Sequence, residues 1–336
     1  MIETAVVILN YNGKHFLQQF LPGVIAHSGT AKIIVADNAS TDDSVSFLKA
    51  NFFNQVEIIQ LQANYGYCGG YNEALKQVNA TYYVLLNSDV EVTAGWIEPV
   101  ISLFKKDQTI AAAQPKILSY HNRDEFEYAG AAGGLIDSLG YPFCRGRIFN
   151  TFEKDKGQYN DTRQVFWATG ACLFIRASVF HQHNGFDEDF FAHMEEIDLC
   201  WRIQQTGMKI FYTGSSQVYH VGGGTLAKSN PRKTYFNFSN GLSLLIKNLP
   251  ARQLFWKIPL RLMLDWVAAA KFLVTGFPAD AWAVVKAHFS FIKNLRRDYA
   301  KRAQEKIHPI STIYNGVLII DYYLNGKHSY SDLRNQ

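Results

Sequence analysis

An α/β fold built on a mostly parallel sheet with flanking helices is the class this sequence predicts, and three observations predict it. In the first 115 residues, short runs rich in Val, Ile and aromatic residues alternate with stretches of helical spacing, the pattern of successive βαβ units. Several of these runs end in polar or acidic residues, as in LNYN, VADN and LLNSD, which places chemistry just beyond a strand. The chain of 336 residues is also long enough to bury a large core and still carry an appended piece.

The elements are expected in the following order. A strand over residues 5–10 leads into a helix over 14–27, and a second strand over 32–36 into a helix over 42–51. Ser40, Thr41, Asp42 and Asp43 offer N-caps for that second helix. A third strand over 56–61 precedes a helix over 70–79, a fourth over 82–86 precedes a helix over 96–107, and a fifth covers 110–114. This is a Rossmann-like half, whose ligands bind beyond the carboxyl ends of the strands. Residues 117–164 dissolve into Gly, Tyr and charged residues and read as a loop-rich region able to wall a pocket. A strand-like stretch over 164–175, an acidic helix and a stretch over 209–221 restore structure.

Four cysteines lie far apart with no C-x-x-C pair, so neither a zinc knuckle nor a disulfide framework is expected, and a reducing, cytoplasmic setting fits. Met1 leads into the first strand with no basic segment or cleavage site, which argues against a signal peptide. The net charge of +4 is divided unevenly: residues 1–250 hold 20 Lys and Arg against 23 Asp and Glu, residues 251–336 hold 13 against 6. Residues 254–277 are apolar but carry Lys257, Arg261, Asp265 and Lys271 within an arc of about 120°, so an amphipathic helix is expected and not a spanning one. In residues 279–306, Trp282, Phe289, Phe291 and Ile292 precede Lys293, Arg296, Arg297, Lys301, Arg302 and Lys306. Two readings stand: helices lying on an anionic membrane surface, peripheral on its cytoplasmic face, or a helical pair packed on the catalytic body with a solvated basic face. No nucleic-acid motif accompanies the charge, so nucleic acid is not an expected partner.

After the first strand, Asn10-Tyr11-Asn12-Gly13 holds one glycine and not the G-x-G-x-x-G of dinucleotide sites, which weighs against a nicotinamide-dependent oxidoreductase. After the second, Asp37 can accept hydrogen bonds from a ribose or a pyrimidine N–H, or can close an Asx-turn. After the third, Asn64 to Asn72 brings Gly66, Gly69 and Gly70 to a helix N-terminus, a place for an anionic or sugar ligand. Asp89 emerges from an apolar strand, where a lone carboxylate suits a hard divalent cation. The segment FFAHMEEIDLCWR (190–202) sets Glu195, Glu196 and Asp198 among Phe190, Phe191, Met194, Leu199 and Trp201. Ionised carboxylates so placed are costly unless a cation, a donor or a proton-transfer role offsets them, although acids at a helix N-terminus also complement its dipole.

VVILNYNG, VADNASTDDS, NYGYCGGYN, LLNSDV, FFAHMEEIDLCWR and VYHVGGGT, in this order, resemble the motifs of family 2 inverting glycosyltransferases of GT-A fold, over residues 1–249. The resemblance implies a catalytic domain over 1–250, with a nucleotide-binding half (1–115) and an acceptor and metal half (116–250), followed by a basic helical extension (251–336). It implies a nucleotide-diphosphate sugar held by Asn10, Tyr11, Asn12, Asp37, Ser40, Asn64, Gly69, Gly70 and Asn72. It implies Mg²⁺ or Mn²⁺ on Asp89 and His220. Glu196 falls at the base position, where the family more often has Asp, with Glu195 beside it. Gly170, Ala171, Asp198 and Trp201 fall on the acceptor side, and Ser239 stands where relatives often carry arginine. Burial and the like charges of Glu195 and Asp198 are expected to raise the pKa of Glu196. The FF-x-x-x-E-x-x-DLCWR and H-x-GGG-T wording resembles the rhamnosyltransferase-type branch that builds cell-surface polysaccharides, with a dTDP- or UDP-sugar donor and a glycan or lipid-linked acceptor. Two alternatives are a nucleotidyltransferase, which should carry a Gly-rich phosphate loop where this chain has NYNG, and a non-catalytic nucleotide-sugar or glycan-binding module.

Overall fold

The computed structural model describes residues 2–222, 230–302 and 308–334. In its first half β1 (Ile2–Asn10), α1 (Lys14–His27), β2 (Lys32–Asp37), α2 (Ser44–Phe52), β3 (Glu57–Gln60), α3 (Gly66–Leu75) and β4 (Ala80–Asn87) follow the expected alternation. β5 (Val90–Val92), α4 (Glu98–Lys106) and β6 (Ile110–Ser119) come next. Four short strands succeed them: β7 (Gly134–Asp137), β8 (Pro142–Cys144), β9 (Arg147–Ile148) and β10 (Thr151–Phe152). Then come β11 (Thr162–Val165), β12 (Cys172–Arg176), α5 (Ala177–Gln182), a 3₁₀ turn (Glu188–Phe190), α6 (Glu195–Gln205) and β13 (Lys209–His220). The C-terminal part holds α7 (Pro231–Asn248), α8 (Ala251–Val274), α9 (Pro278–Ala300), β14 (Ile313–Tyr314), α10 (Leu318–Tyr323) and α11 (Tyr330–Arg334).

The main sheet runs β11-β13-β6-β12-β4-β1-β2-β3, with β5 on β13. β3, β2, β1 and β4 are parallel, β12 enters antiparallel between β4 and β6, and β6 and β13 are again parallel. Both faces are covered. Val6 and Ile8 of β1 join the core under α1, α2 and α4, while Ala5 and Val7 join the core under α3, α5 and α6. Burial on both faces is why these strands are continuously apolar.

Three expectations need correction. Residues 117–164 are not mainly loop, because β7 to β10, joined by β14 from the far end of the chain, form a second sheet. Strands of two to four residues are too short to show a period in sequence. The stretch 164–175 is two strands, β11 and β12, which pair with different neighbours on either side of a turn at Gly170-Ala171. Its apolar run is nearly continuous because residues 165–175, from the end of β11 through the turn and along β12, are buried. α3 starts at Gly66, four residues before the expected start, where Asn64 Oδ1 accepts the Gly66 N–H.

The extension beyond residue 250 also differs from one appended unit. α8 and α9 form a hairpin against α7, whereas the last segment returns to the body: β14 pairs with β7, and the Leu318 N–H donates to Asp137. Of the charged stripe of α8, only Lys271 is solvated. Lys257, Arg261 and Asp265 face inward with Ala269, and Arg261 donates to Asp265 and to the Leu139 carbonyl while lying over the Tyr141 ring. Arg297, Lys301 and Arg302 are likewise engaged internally, the first two by Asp189 and Lys301 also by Asp187, and Arg302 by the carbonyls of Ile246 and Leu249. Lys306 lies outside the described residues.

Candidate functional site

Strand register brings the motifs to one edge. Asn10 pairs with Asp37 across β1 and β2, Leu9 with Asn87 across β1 and β4, and Cys172 with Leu86 across β4 and β12. Because β12 is antiparallel to β4, the turn that leads into it, Gly170-Ala171, lies where β4 ends, and the Asn87 N–H donates to the Ala171 carbonyl. The end of β13 reaches the same edge through β6. Asn10, Asp37, Asp89, Ala171 and His220 therefore share the carboxyl-end crevice of the sheet, although up to 210 residues separate them.

At that edge Asp89 Oδ1 lies 3.2 Å from His220 Nε2, and both side chains are buried. On the other side of the ring, Glu127 Oε2 lies 3.2 Å from His220 Nδ1. Burial alone would lower the pKa of His220; Glu127 first and Asp89 with it overcome this and raise it to about 10. The same contacts hold both acids below their ordinary values despite burial. Glu127 lies in the region that read as loop, and only its position between two aromatic residues marks it in the sequence. Gly222, at φ +69°, leaves no room for a Cβ beside Glu127 Oε1. The rest of the expected glycine motif, Gly223, Gly224 and Thr225, lies outside the described residues. Among the described residues no group of three or more His, Cys, Asp and Glu side chains is arranged to hold a metal ion. The Asp89–His220 pair would fit one once the imidazole gives up its proton, since neighbouring ligands at about 2.1 Å from a single ion stand roughly 3 Å apart. Phosphate and water would fill the remaining positions.

The acids of α6 are delivered by a strained loop. Phe191, His193 and Met194 have φ of +58°, +67° and +74°, a conformation that costs roughly 1–3 kcal/mol per non-glycine residue. Buried Asn240 of α7 holds it, its Nδ2 donating to the carbonyls of Phe190, Ala192 and His193 at 2.8, 2.9 and 2.9 Å. Glu195 and Glu196 follow at the first turn of α6, and each has one buried oxygen with no hydrogen-bond partner. Burial raises the pKa of both, and the proximity of Glu196 raises that of Glu195 further. Tyr67, which faces these acids from α3, donates to the Gly170 carbonyl at 2.8 Å. Asn240→Ala should lose about 1–3 kcal/mol of stability, since three carbonyls lose their donor. It should also reduce turnover at temperatures well below its melting point; a variant of unchanged kcat there would mean that the loop keeps its shape unaided.

Asp198 and Trp201 do not face an acceptor. Asp198 accepts from Lys247, Arg202 and Asn248 at 2.9, 2.8 and 2.9 Å, and these partners hold its carboxyl below the ordinary range against the effect of burial. Two residues along a helix point to nearly opposite sides, so Asp198 does not raise the pKa of Glu196 as expected. Trp201 packs edge-on against Phe166 in the core.

On the nucleotide side the polar residues chiefly build the rim. Asp37 takes the Ser40 N–H at 3.0 Å, the Ser40 hydroxyl at 2.6 Å and Asn10 Nδ2 at 3.0 Å, the turn geometry that was one of its two readings. Asn12 staples the first two loops through the backbone of Thr41 and Asp42. Asn64 and Asn38 brace the start of α3. Gly69 and Gly70 serve packing: a Cβ at Gly70 would stand 2.9 Å from Leu9, and one at Gly69 3.0 Å from Tyr65. The Asn72 amide is committed to the backbone of Phe186 and to Glu188. The ring of Tyr11 is exposed, and Asn10 Oδ1 is buried without a donor.

The model of Glycosyl transferase family 2 matches residues 5–183, a span that ends before α6. The N-acetylglucosaminyl-diphospho-decaprenol L-rhamnosyltransferase of Mycobacterium tuberculosis is 27% identical over 234 residues, covering 64% of this chain and 75% of its own. Rhamnosyltransferase WbbL of Escherichia coli K12 is 26% identical over 227 residues, covering 64% of this chain and 82% of its own. Among solved structures, the mannosyltransferase PcManGT of Pyrobaculum calidifontis, in complex with GDP-Man and Mn²⁺, superposes with a TM-score of 0.53 at 12% identity, covering 86% of this chain and 87% of that one. The shared architecture is GT-A.

Proposed function

The chain belongs to glycosyltransferase family 2 and is a glycosyltransferase, and we propose that it transfers a sugar, with rhamnose the favoured one, from a dTDP- or UDP-linked donor to a lipid-linked glycan in cell-surface polysaccharide synthesis. One observation carries this reading: the Asp89–His220 pair lies at the sheet edge where β1 and β2 end, and an acid pair with raised pKa lies near Tyr67, whose hydroxyl donates to Gly170 beside the end of β4. The two rhamnosyltransferases among the relatives support the sugar, and the diphospho-decaprenol in one of their names supports the acceptor.

The chemistry follows from the side chains. Tyr11, whose ring is exposed just past β1, offers a face on which the base stacks. Asp89 and His220 would hold Mg²⁺ or Mn²⁺, which supplies Lewis-acid neutralisation of charge on the departing diphosphate. Glu196, whose buried environment holds its pKa above the ordinary carboxylate range, takes the proton of the acceptor hydroxyl as that oxygen attacks the anomeric carbon from the face opposite the nucleotide. One displacement inverts the configuration and requires no enzyme nucleophile. Gly170 and Ala171, at the mouth between β4 and Tyr67, border the acceptor.

A thermal-shift screen of dTDP, UDP and GDP with Mn²⁺ or Mg²⁺, followed by transfer assays with the matching nucleotide sugars, tests the reading. Stabilisation by dTDP or UDP that requires the metal is the expected result. Absence of stabilisation by every nucleotide, with no donor turnover, would sink it. Glu127→Gln should weaken apparent Mn²⁺ affinity about 10–100-fold in that assay, the usual effect of losing the partner that orients a metal-binding histidine. An unchanged affinity would leave Glu127 a purely structural acid.

A further inference from the structure

α8 is built inside out. In a helix on the surface of a water-soluble protein the apolar stripe packs inward and the charged residues face solvent. Here Lys257, Arg261 and Asp265 occupy the inward stripe with Ala269, and Asp265 also meets His288 of α9 at 3.3 Å. The opposite arc presents apolar side chains, among them Phe255 at 89% exposure, Trp256 at 51%, Trp266 at 54% and Val274 at 89%. Trp282 and Phe289 of α9 are equally open, at 58% and 68%. All six of these large apolar side chains are more than half exposed on two neighbouring helices, a concentration that marks an interaction surface where scattered single apolar residues would not.

Charge identifies what covers it. Arg252, Lys271, Lys286, Lys293 and Arg296 are exposed among these apolar residues. The three carboxylates of α8 and α9 are withdrawn: Asp265 and Asp298 are buried, and Asp280 accepts from Thr234. A second copy of the chain would bring two sets of cations together with no acids to pair them. An anionic lipid surface supplies both halves of the match, acyl chains for Trp and Phe and headgroups for Lys and Arg. Among the described residues no helix is long and apolar enough to cross a membrane, so the hairpin would lie on the bilayer.

We propose that the outer face of α8 and α9 is a docking surface for an anionic lipid bilayer, on which the protein lies with its charged stripe turned inward and its tryptophans at headgroup level. The surface deepens the proposed use of a lipid-linked acceptor, because α7, which packs on α9, also holds the acid-bearing loop through Asn240. It does not depend on which sugar is moved.

Flotation of the full chain with vesicles of phosphatidylcholine containing phosphatidylglycerol tests it, without any assay of transfer. The protein should float with anionic vesicles at low salt, its tryptophan emission should shift to the blue, and binding should weaken as salt shortens the screening length. Lys286→Glu, Lys293→Glu and Arg296→Glu combined should cut affinity more than a hundredfold, at about fivefold for each charge neutralised. Phe255→Ser with Phe289→Ser should abolish flotation with unchanged melting temperature. Three results would overturn the proposal: wild type remaining soluble on anionic vesicles at low salt, variants floating as wild type does, or light scattering that shows a dimer dispersed by the Phe255→Ser and Phe289→Ser pair. If flotation fails while donor turnover persists, only the membrane surface is lost. If turnover fails while flotation persists, only the transfer reading is lost.

Discussion

Glu196→Gln should leave donor binding intact and lower sugar transfer by about 10²–10⁴-fold, the range expected of a positioned general base. Glu195→Gln should cost less, because the base position falls on Glu196 and Glu195 is the more deeply buried of the two. A larger loss at Glu195 would reassign the base by one residue. The pH dependence carries the same signature. A base acts only when ionised, so kcat/KM should rise with pH through a value above the ordinary carboxylate pKa of about 4.3, because burial raises both acids. Stability should run the other way. An acid whose folded pKa exceeds its unfolded value contributes stability that is full below the unfolded pKa and is lost as pH rises through the folded one. Glutamine mimics the protonated acid, so either substitution should raise the melting temperature above pH 7 while transfer falls. Melting curves of both variants at pH 5 and pH 8 check this; equal melting temperatures for wild type and variants at pH 8 would mean that the acids are not strained by burial.

Asp89→Ala should abolish metal-dependent transfer and the stabilisation by nucleotide with Mn²⁺, and His220→Ala should do the same. The two differ in what they leave behind. Without Asp89, His220 retains Glu127 at 3.2 Å, so the fold keeps one ion pair. Without His220, Asp89 and Glu127 are left as two buried carboxylates with no cation, so this variant should be the less stable. Transfer, metal titration and melting curves of both proteins separate the effects. Full activity in either variant, with the metal still required, would remove that residue from the site.

The proposed membrane surface is where composition misleads most. The basic tail pointed to Arg297, Lys301 and Arg302 as lipid-facing, but Asp187, Asp189 and the end of α7 engage them. Which cations stay free depends on acids more than a hundred residues earlier in the chain, and local sequence carries no record of that pairing. The same holds for Glu127, whose role exists only because β13 returns beside β6.

By itself the sequence determined the βαβ order, the helix over 14–27 and the placing of Asp37 at the end of its strand and of Asp89 beyond its own, and Asp89 and the Glu195-Glu196 pair as the carboxylates worth watching. These are local properties: apolar period, caps, and acids next to apolar runs. Only the tertiary structure decided that β12 divides the sheet, that a second sheet closes on the chain's end, that Asp198 and Trp201 are structural, and that α8 turns its charges inward. Each of these depends on a partner distant in sequence. Burial and charge pairing act through space, so a carboxylate that reads alike at positions 195, 196 and 198 becomes a strained acid at two of them and a neutralised anchor at the third.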